Sequence, residues 1–404
     1  MEKIIAGDLL SQETMRNPHA FYANLREQGP LSYIPDFYGM GSAWIATNYD
    51  DAIAILKDPR FIKDRRKILS PEDEQSVLHE SVSPIEMRSM LNVDPPDHTR
   101  LRALVSKAFT PRMITQLRPR IQQITDELLD AVQAQGKMDI ITDFAYPLPI
   151  TVISEMLGIP AKDRSQFRVW TQKMLSMSDQ PDQEEARATA ARAFLNYIKA
   201  LLDEKRAHPA NDLTSSLLQV EENGDQLSEN ELLSMIWLLL LAGHETTVNL
   251  IGNGTLALLQ HPEQMQRLQQ DPSLLPTAVE ELLRYTAPVS LSDERWASED
   301  IAMHGEVMRK GDMVLISLSA VNTDSRQFPD PEVLDLARKE NQHLAFSKGI
   351  HYCLGAPLAR LEGLIAFGTL LQRLPNLRLA SDPAQLIWSS NPMLRGLKSL
   401  PVTF

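Results

Sequence analysis

The sequence Phe346-Ser-Lys-Gly-Ile-His-Tyr-Cys-Leu-Gly-Ala-Pro357 contains Cys353, the only cysteine of the 404-residue chain. Pro357 and the apolar residues that follow it at helical spacing, up to about Leu374, predict a loop that leads directly into a helix. A sulfur at the start of a helix faces unpaired backbone N–H groups, such as those of Leu354 and Gly355, which stabilise a thiolate. The stretch therefore predicts a stabilised thiolate at Cys353.

The single cysteine restricts the chemistry of this loop. It excludes an internal disulfide and a cysteine-based zinc cluster, and the ordinary role of a free cysteine is that of a small buried hydrophobe. A nucleophilic cysteine needs a histidine base, and His351 in the same loop is poorly placed for that role. A lone thiolate also serves as the axial ligand of haem iron, and Gly349 and Gly355 would let the backbone approach a flat ring closely. The residues favour this last role.

Composition limits the class of protein. The chain is 43% hydrophobic, which is enough for a large core, and its net charge of −13 excludes a nucleic-acid binder that depends on a basic surface. Residues 1–8 lack the pattern of a signal peptide. The longest apolar run, Met235 to Gly243, is well short of the ~20 residues that span a bilayer. We expect a cytoplasmic protein without a membrane anchor.

Helical periodicity dominates the chain, in stretches such as 114–135, 163–177 and 184–206. Strand patterns are confined to two regions, 31–48 and 289–318. We therefore predict a mainly α fold, one large helical domain over residues 1–404 with small β-sheets at its margin.

One predicted helix is unusually long. Ser228-Glu-Asn-Glu231 is a capping-box start, and no proline follows until Pro262, so a helix of over 30 residues is expected in the interior. Its middle, Ala242-Gly-His-Glu-Thr-Thr247, places an acid and two hydroxyls in apolar surroundings. Thr246 is positioned to bond back to the carbonyl of Ala242. The hexapeptide alone is equally consistent with a structural kink and with a functional site.

These motifs together resemble those of the cytochrome P450 superfamily. The pattern Phe-x-x-Gly-x-His-x-Cys-x-Gly over 346–355 resembles its haem-binding signature, Glu281-Leu-Leu-Arg284 its Glu-x-x-Arg pair, and residues 242–247 its oxygen-activating helix. Residues 97–102 and 109–112 resemble the stretch that opens the helix over the haem. The sequence around Cys353 is similar to that of the soluble bacterial branch, which includes macrolide, polyketide and fatty-acid hydroxylases. Ser347-Lys348 departs from the Gly-His that relatives often carry.

The resemblance implies haem b as cofactor, with Cys353 as the axial ligand of the iron. It implies a catalytic pair in which Thr246 supplies a hydrogen-bonding hydroxyl on the oxygen-binding side and Glu245 relays protons from solvent. Partners for the haem propionates are expected at His98, Arg102, Arg295 and His351. A buried structural triad is expected from Glu281, Arg284 and Arg338. Substrate-pocket walls are expected at Met90, Leu91, Ala242, Val289, Leu291 and Met393, together with residues 170–177.

The resemblance also implies the reaction and the partners. The expected activity is hydroxylation or epoxidation of a lipophilic molecule, such as a polyketide, a macrolide-like compound, a terpenoid or a fatty acid. The reaction would use O2 and electrons from a ferredoxin or flavodoxin with its reductase. Such an acidic partner would meet a basic patch formed by Lys107, Arg112, Lys348 and Arg360.

Other functions stay open from the sequence. A non-catalytic haem-binding sensor, a carrier-tethered assembly partner and a peroxide-driven peroxygenase would share the Cys353 motif, and a hydrolase using Cys353 is a further alternative. Retention of Glu245 and Thr246 weighs against a silent binder and against a peroxygenase, which in this superfamily tends to lack the pair.

Overall fold

The computed structural model of the chain describes residues 6–70, 88–175, 181–222 and 224–404. Helices make up most of these residues, as the periodicity predicted. In chain order they are α1 Ala6–Leu9, α2 Gln12–Arg16, α3 Pro18–Gln28, α4 Tyr49–Lys57, α5 Asp97–Ala108, α6 Pro111–Gln133, α7 Pro147–Met156, α8 Arg164–Leu175, α9 Pro181–Ala207, α10 Leu213–Gln219, α11 Glu229–Gln260, α12 Pro262–Gln270, α13 Leu275–Thr286, α14 Leu318–Val321 and α15 Ala356–Arg373.

The three helical stretches read from the sequence are confirmed, with shifted ends. Prolines open α6 and α9 earlier than the apolar pattern indicated, because proline is favoured in the first helical turn, where its missing N–H has no intrahelical partner. Residues 176 and 177, which the sequence assigned to the second stretch, lie outside the described residues.

Small sheets lie beside the helices. The strands are β1 Leu31–Ile34, β2 Ala43–Ala46, β3 Phe61–Ile62, β4 Lys137–Asp139, β5 Glu221–Glu222, β6 Asp225–Gln226, β7 Arg295–Ala297, β8 Ile301–Met303, β9 Glu306–Met308, β10 Met313–Ile316, β11 Arg378–Leu379 and β12 Pro401–Thr403. The largest sheet has the order β1-β2-β10-β7-β3, in which β2 and β10 are parallel.

Both predicted strand regions contain strands, but the expectation that strands are confined to them was wrong. Strands β11, β12 and β4 form a separate three-stranded sheet, and β5 and β6 form a hairpin. Each of these strands has only two or three residues. Such lengths are too short for the alternation of apolar and polar residues that reveals a strand in a sequence.

Helix α11 runs through the interior, as predicted. It has 32 residues and begins with the capping box of Ser228 and Glu231. Of the helices described, it alone is long and apolar enough to cross a membrane, and 61% of its apolar window is buried in the protein. It packs against α7, α9, α13 and α15, so it is the central core helix of the fold.

Contacts between α11 and α15 place the Cys353 loop. A Cβ at Gly254 of α11 would lie 2.5 Å from the ring of Phe367 on α15, so the absence of a side chain there is required for close packing. One turn earlier, Gly363 of α15 faces Leu250 of α11. The residue numbers at these two contacts rise in the same direction along both helices, so α11 and α15 run parallel to each other. The N-terminal end of α15, where Cys353 lies, is directed towards the middle of α11.

Candidate active site

The loop before α15 has the turn geometry that its glycine implies. Gly349 has φ +81°, and a Cβ there would lie 2.9 Å from the carbonyl oxygen of Leu56. The missing side chain at Gly349 therefore allows close approach to another part of the backbone, and its approach to a flat partner stays a prediction. The loop closes when Cys353 N–H donates to the carbonyl oxygen of Phe346 at 3.0 Å.

The Cys353 side chain is accessible, although protein atoms surround it. Burial raises the pKa of its thiol, while the N–H groups of Gly355 and Ala356 and the positive charge of Arg102 act in the opposite direction. The predicted donors at the helix start are thus present, with Ala356 in place of Leu354. Burial outweighs these donors in the chain alone, and the thiolate at Cys353 stays a prediction for the protein with iron bound.

Four residues that the sequence singled out as anion partners come together next to this loop. The rings of His98 and His351 lie 4.2 Å apart between centroids, and both Nε2 atoms are buried without a hydrogen-bond partner among the described residues. Burial lowers the pKa of His98, assisted by Arg102, and lowers that of His351 to about 3, assisted by His98 and by the nearby Arg295. Both shifts favour the neutral form of the imidazole in the chain alone.

A buried lysine beside this cluster was missed by sequence reasoning. Lys63 forms an ion pair with Asp293 and donates to the carbonyl oxygen of Glu294 at 2.6 Å. Its charge also acts on His351 and lowers the pKa of that imidazole. Nothing local marks Lys63 in the sequence, since its partner lies 230 positions away.

The polar hexapeptide of α11 forms an accessible stretch in an otherwise buried helix. Thr246 Oγ1 donates to the carbonyl oxygen of Ala242 at 2.9 Å, as predicted. Ala242 is exposed, and Glu245 and Thr246 are half-buried. His244 Nε2 lies 3.6 Å from Glu245 Oε1. The acid and the hydroxyl are therefore consecutive residues at a place where α11 is partly open.

The structure brings Glu281, Arg284 and Arg338 together. Arg284 donates to both oxygens of Glu281 at 2.8 Å, and Arg338 Nε donates to the same oxygens at 3.2 and 3.1 Å. The side chains of Glu281 and Arg284 are fully buried. Asn341 Nδ2 also donates to Glu281 at 3.1 Å, and the N–H of Asp335 does so at 3.1 Å.

The two arginines extend this network into the segment that precedes Cys353. Arg284 Nη1 donates to the carbonyl oxygens of Asn322 and Pro331 at 2.9 and 2.8 Å. Arg338 donates to the carbonyl oxygens of Pro329, Asp330 and Val333. One buried carboxylate on α13 thus fixes residues 329–341, because both of its arginine partners also bind the backbone there.

Comparison with known proteins agrees with this geometry. The family described as cytochrome P450 matches residues 4–377. The chain belongs to the cytochrome P450 family. Its cofactor is therefore haem b, and the protein is a P450 monooxygenase with the mainly α fold of that family.

Individual bacterial P450s are similar over the whole chain. Cytochrome P450 CYP107DY1 of Priestia megaterium is 56% identical, with 100% of both chains covered. The solved structure of PksS, the cytochrome P450 of the bacillaene polyketide synthase of Bacillus subtilis 168, has a TM-score of 0.91 at 45% identity, with 98% of both chains covered. Myxobacterial CYP267B1, solved with myristic acid, has a TM-score of 0.93 at 46% identity, also over 98% of both chains.

The residues of this P450 fit its haem. Haem b carries two propionate carboxylates. No carboxylate of the described residues acts on Arg102, and Arg295 lies within the influence of Asp293 and Asp94 without forming an ion pair with a described residue. Arg295 is buried and Arg102 is half-buried, and a guanidinium group withdrawn from water without an ion-pair partner is unfavourable. The unpaired Nε2 atoms of His98 and His351 add further polar groups at the same place. This donor set suits two carboxylates, and the accessible sulfur of Cys353 lies within the influence of Arg102.

The residues expected to line the P450 pocket differ in burial. Ala242 is exposed, whereas Leu91, Val289 and Met393 are half-buried. Ser290 N–H donates to the carbonyl oxygen of Met393 at 2.8 Å, so the segments around 289–291 and 393–394 are adjacent. Met90 and Leu291 are buried side chains within hydrophobic clusters. Trp170 packs at the edge of the largest of these clusters.

An acid on α15 was missed by sequence reasoning. Glu362 is 1% exposed, and neither of its carboxyl oxygens makes a hydrogen bond of good geometry with the described residues. Burial raises its pKa to about 8, although the hydroxyl of Thr247 on α11 acts in the opposite direction. Glu362 is therefore largely protonated at neutral pH, where it stands between the two helices that position the site.

Glu362→Gln is expected to flatten the pH dependence of stability. The folded-state pKa is raised above the unfolded value of 4.5, so the folded protein binds more protons between about pH 4.5 and 8, and its free energy of unfolding falls as pH rises through this window. Glutamine cannot ionise, so the variant should gain roughly 2–4 kcal/mol relative to the wild type between pH 5 and pH 8. Urea unfolding of both proteins at several pH values measures this difference. A difference that is constant with pH would contradict the prediction.

Proposed function

We propose that the chain is a single haem domain in which Cys353 is the axial ligand of the iron. The observation that carries this proposal is the placement of the only cysteine: an accessible sulfur at the start of α15, with the N–H groups of Gly355 and Ala356 directed at it. Iron bound to the sulfur would add positive charge and stabilise the thiolate against the burial that now opposes it. When bound through such a thiolate, haem activates O2 for insertion of one oxygen atom into a C–H bond.

We assign the propionate contacts to His98, Arg102, Arg295 and His351. Guanidinium groups bind carboxylates with paired hydrogen bonds, and both arginines are otherwise without a carboxylate partner in the described ranges. The imidazoles of His98 and His351 would each donate an N–H from Nε2 to a carboxylate oxygen and so help to orient the propionates.

Thr246 and Glu245 are the groups that we propose to handle protons. Thr246 Oγ1 directs its own hydrogen to the carbonyl of Ala242, which leaves the hydroxyl oxygen free to accept a hydrogen bond from a proton-carrying water. Glu245 is half-buried beside it, so its carboxylate can exchange protons with solvent and pass them on. This polar pair in an apolar helix favours a monooxygenase over a silent haem binder or a peroxygenase.

Thr246→Ala is expected to uncouple electron use from product formation. Without the hydroxyl, the proton needed for productive oxygen cleavage is no longer held in place. The amount of product formed per electron pair should therefore fall roughly ten-fold. O2 uptake should continue, and the O2 consumed should be released as hydrogen peroxide. Thr246→Ser retains the hydroxyl and should retain most of the coupling. Product, peroxide and O2 uptake measured in parallel test this, and an alanine variant as well coupled as the serine variant would refute the role.

The substrate that we propose is a lipophilic molecule of the polyketide, macrolide or fatty-acid classes. Residues expected around the site are apolar, and the relatives include the PksS enzyme of a polyketide synthase and CYP267B1, which binds myristic acid. Titration of the haem spin state with myristic acid and with a macrolactone distinguishes these classes. A shift with neither probe would contradict the proposal.

The electron donor that we propose is a ferredoxin or flavodoxin in the cytoplasm, since bacterial members of the family use ferredoxin. Arg360 is already neutralised by Glu280, to which it donates at 2.6 and 2.9 Å. Lys107 Nζ donates to the carbonyl oxygen of Glu221 at 3.1 Å. Any attraction for an acidic partner would therefore depend mainly on Arg112 and Lys348, and it should weaken with salt.

A further inference from the structure

A second carboxylate of α13 is directed at the Cys353 loop. Glu280 immediately precedes Glu281, the carboxylate of the triad. Glu280 Oε1 accepts a hydrogen bond from Arg360 Nε at 2.6 Å, and Glu280 Oε2 accepts one from Arg360 Nη2 at 2.9 Å. This bidentate pair joins α13 to the first two turns of α15, the helix that begins behind Cys353.

The same carboxylate holds a histidine upstream of the loop. His343 Nε2 lies 3.1 Å from Glu280 Oε2, and the His343 side chain is almost fully buried. The N–H of Ala345 donates to His343 Nδ1 at 3.2 Å, so the ring proton is on Nε2, which donates to Glu280. Glu280 therefore contacts residues both before and after Cys353 in the chain.

Arg360 passes this restraint to the loop itself. Its Nη1 donates to the hydroxyl of Tyr352, the neighbour of Cys353, at 3.1 Å. Its guanidinium lies over the ring of Phe346, 4.5 Å from the centroid. Phe346 also accepts the hydrogen bond from Cys353 N–H. Both ends of the loop that carries the sulfur thus touch one guanidinium, whose position depends on Glu280.

Glu280 is ionised at neutral pH. Burial acts to raise the pKa of Glu280, but the hydrogen bonds from His343 and Arg360 outweigh it and hold the pKa at about 2. The pairing of Glu280 with Arg360 therefore persists across the working pH range of a cytoplasmic enzyme.

We propose that Glu280 is a positioning residue, which acts through Arg360 and His343 to fix the Cys353 loop in the geometry that binds iron. Glu281 fixes residues 329–341, and Glu280 fixes the loop from 343 to 352, so adjacent acids of one helix restrain consecutive segments. This inference rests on the proposed role of Cys353 as the iron ligand. Loosening the loop should favour loss of the thiolate bond to iron without removal of the haem.

The test uses the haem-loaded Glu280→Gln variant, reduced chemically with dithionite so that no protein partner is involved. The measured quantity is the first-order rate at which the thiolate Soret band of the carbon-monoxide complex converts to the band of the neutral-thiol form in mild urea. Loss of hydrogen bonds to a charged group should raise this rate about ten-fold over the wild type. Arg360→Gln should raise it similarly, and the increase in the double variant should be smaller than the product of the two single increases, because both changes break the pair of Glu280 with Arg360.

Glu155→Gln is the matched control. Glu155 forms an equally bidentate pair with Arg120 at 2.8 and 2.8 Å, and the side-chain exposures of 29% and 38% are close to the 29% and 33% of Glu280 and Arg360. Neither Glu155 nor Arg120 contacts the Cys353 loop, so the conversion rate of Glu155→Gln should equal that of the wild type.

Three outcomes separate the possibilities. A selective increase for Glu280→Gln and Arg360→Gln supports the proposal, with Arg360→Lys, which loses the bidentate geometry, expected in between. Equal rates for wild type and Glu280→Gln, or an equal increase in Glu155→Gln, would overturn it. A wild type without any thiolate band would overturn the proposed role of Cys353 itself, on which the inference rests.

Discussion

Cys353→Ser is expected to remove the thiolate Soret band of the reduced, carbon-monoxide-treated protein completely. Cys353 is the only cysteine in the chain, so no other thiolate can replace it as an iron ligand. A neutral serine hydroxyl cannot supply the electron density that a thiolate gives to iron, and oxygenase activity should disappear with the band. The absorption spectrum after reduction and exposure to carbon monoxide measures the effect.

The fold should survive this exchange, because serine is close to cysteine in size and Cys353 belongs to none of the four hydrophobic clusters of the described residues. Circular dichroism of the variant, with Cys353→Ala beside it, separates loss of the ligand from unfolding. A folded Cys353→Ser protein that keeps the thiolate band would contradict the assignment of the ligand.

Arg284→Met is expected to cost about 3–5 kcal/mol of stability, because it leaves the buried carboxylate of Glu281 with one guanidinium instead of two. It also frees the carbonyl oxygens of Asn322 and Pro331, which Arg284 now binds. Residues 329–341 lead into the loop of Cys353, so haem occupancy should fall as well. Urea unfolding and the ratio of haem absorbance to protein absorbance measure both effects.

Arg267→Met provides a control on the neighbouring helix α12. Arg267 pairs with Asp335 at 3.3 Å, but both side chains are nearly half-exposed, so the loss should be below about 1 kcal/mol and haem occupancy should be unchanged. Equal effects of the two substitutions would show that the burial of the triad does not matter, and would contradict the account.

Features whose causes are local were predictable from the sequence. The capping box that starts α11, the back-bond of Thr246 and the pairing of Glu281 with Arg284 each depend on residues within four positions of one another. Spacing along a helix fixes such contacts before any tertiary structure is known. The sequence motif around Cys353 belongs to the same class, because its turn and the helix that follows are coded by neighbouring residues.

The remaining parts of the site depend on contacts between distant segments. Glu280 meets Arg360 across 80 positions, and Lys63 meets Asp293 across 230. The raised pKa of Glu362 is caused by burial between two helices, and a single glutamate in a sequence does not reveal that burial. The pKa of the Cys353 thiol also depends on burial by distant segments, which acts against the N–H groups at the helix start.

Turnover under ¹⁸O-labelled O2 tests the central claim most directly. The reconstituted enzyme, a ferredoxin and its reductase would be supplied with whichever of myristic acid and the macrolactone shifts the spin state. The account predicts a product that carries one ¹⁸O atom, formed in an amount that falls in Thr246→Ala and is absent in Cys353→Ser. Unlabelled product, or full-rate turnover with hydrogen peroxide alone, would contradict it.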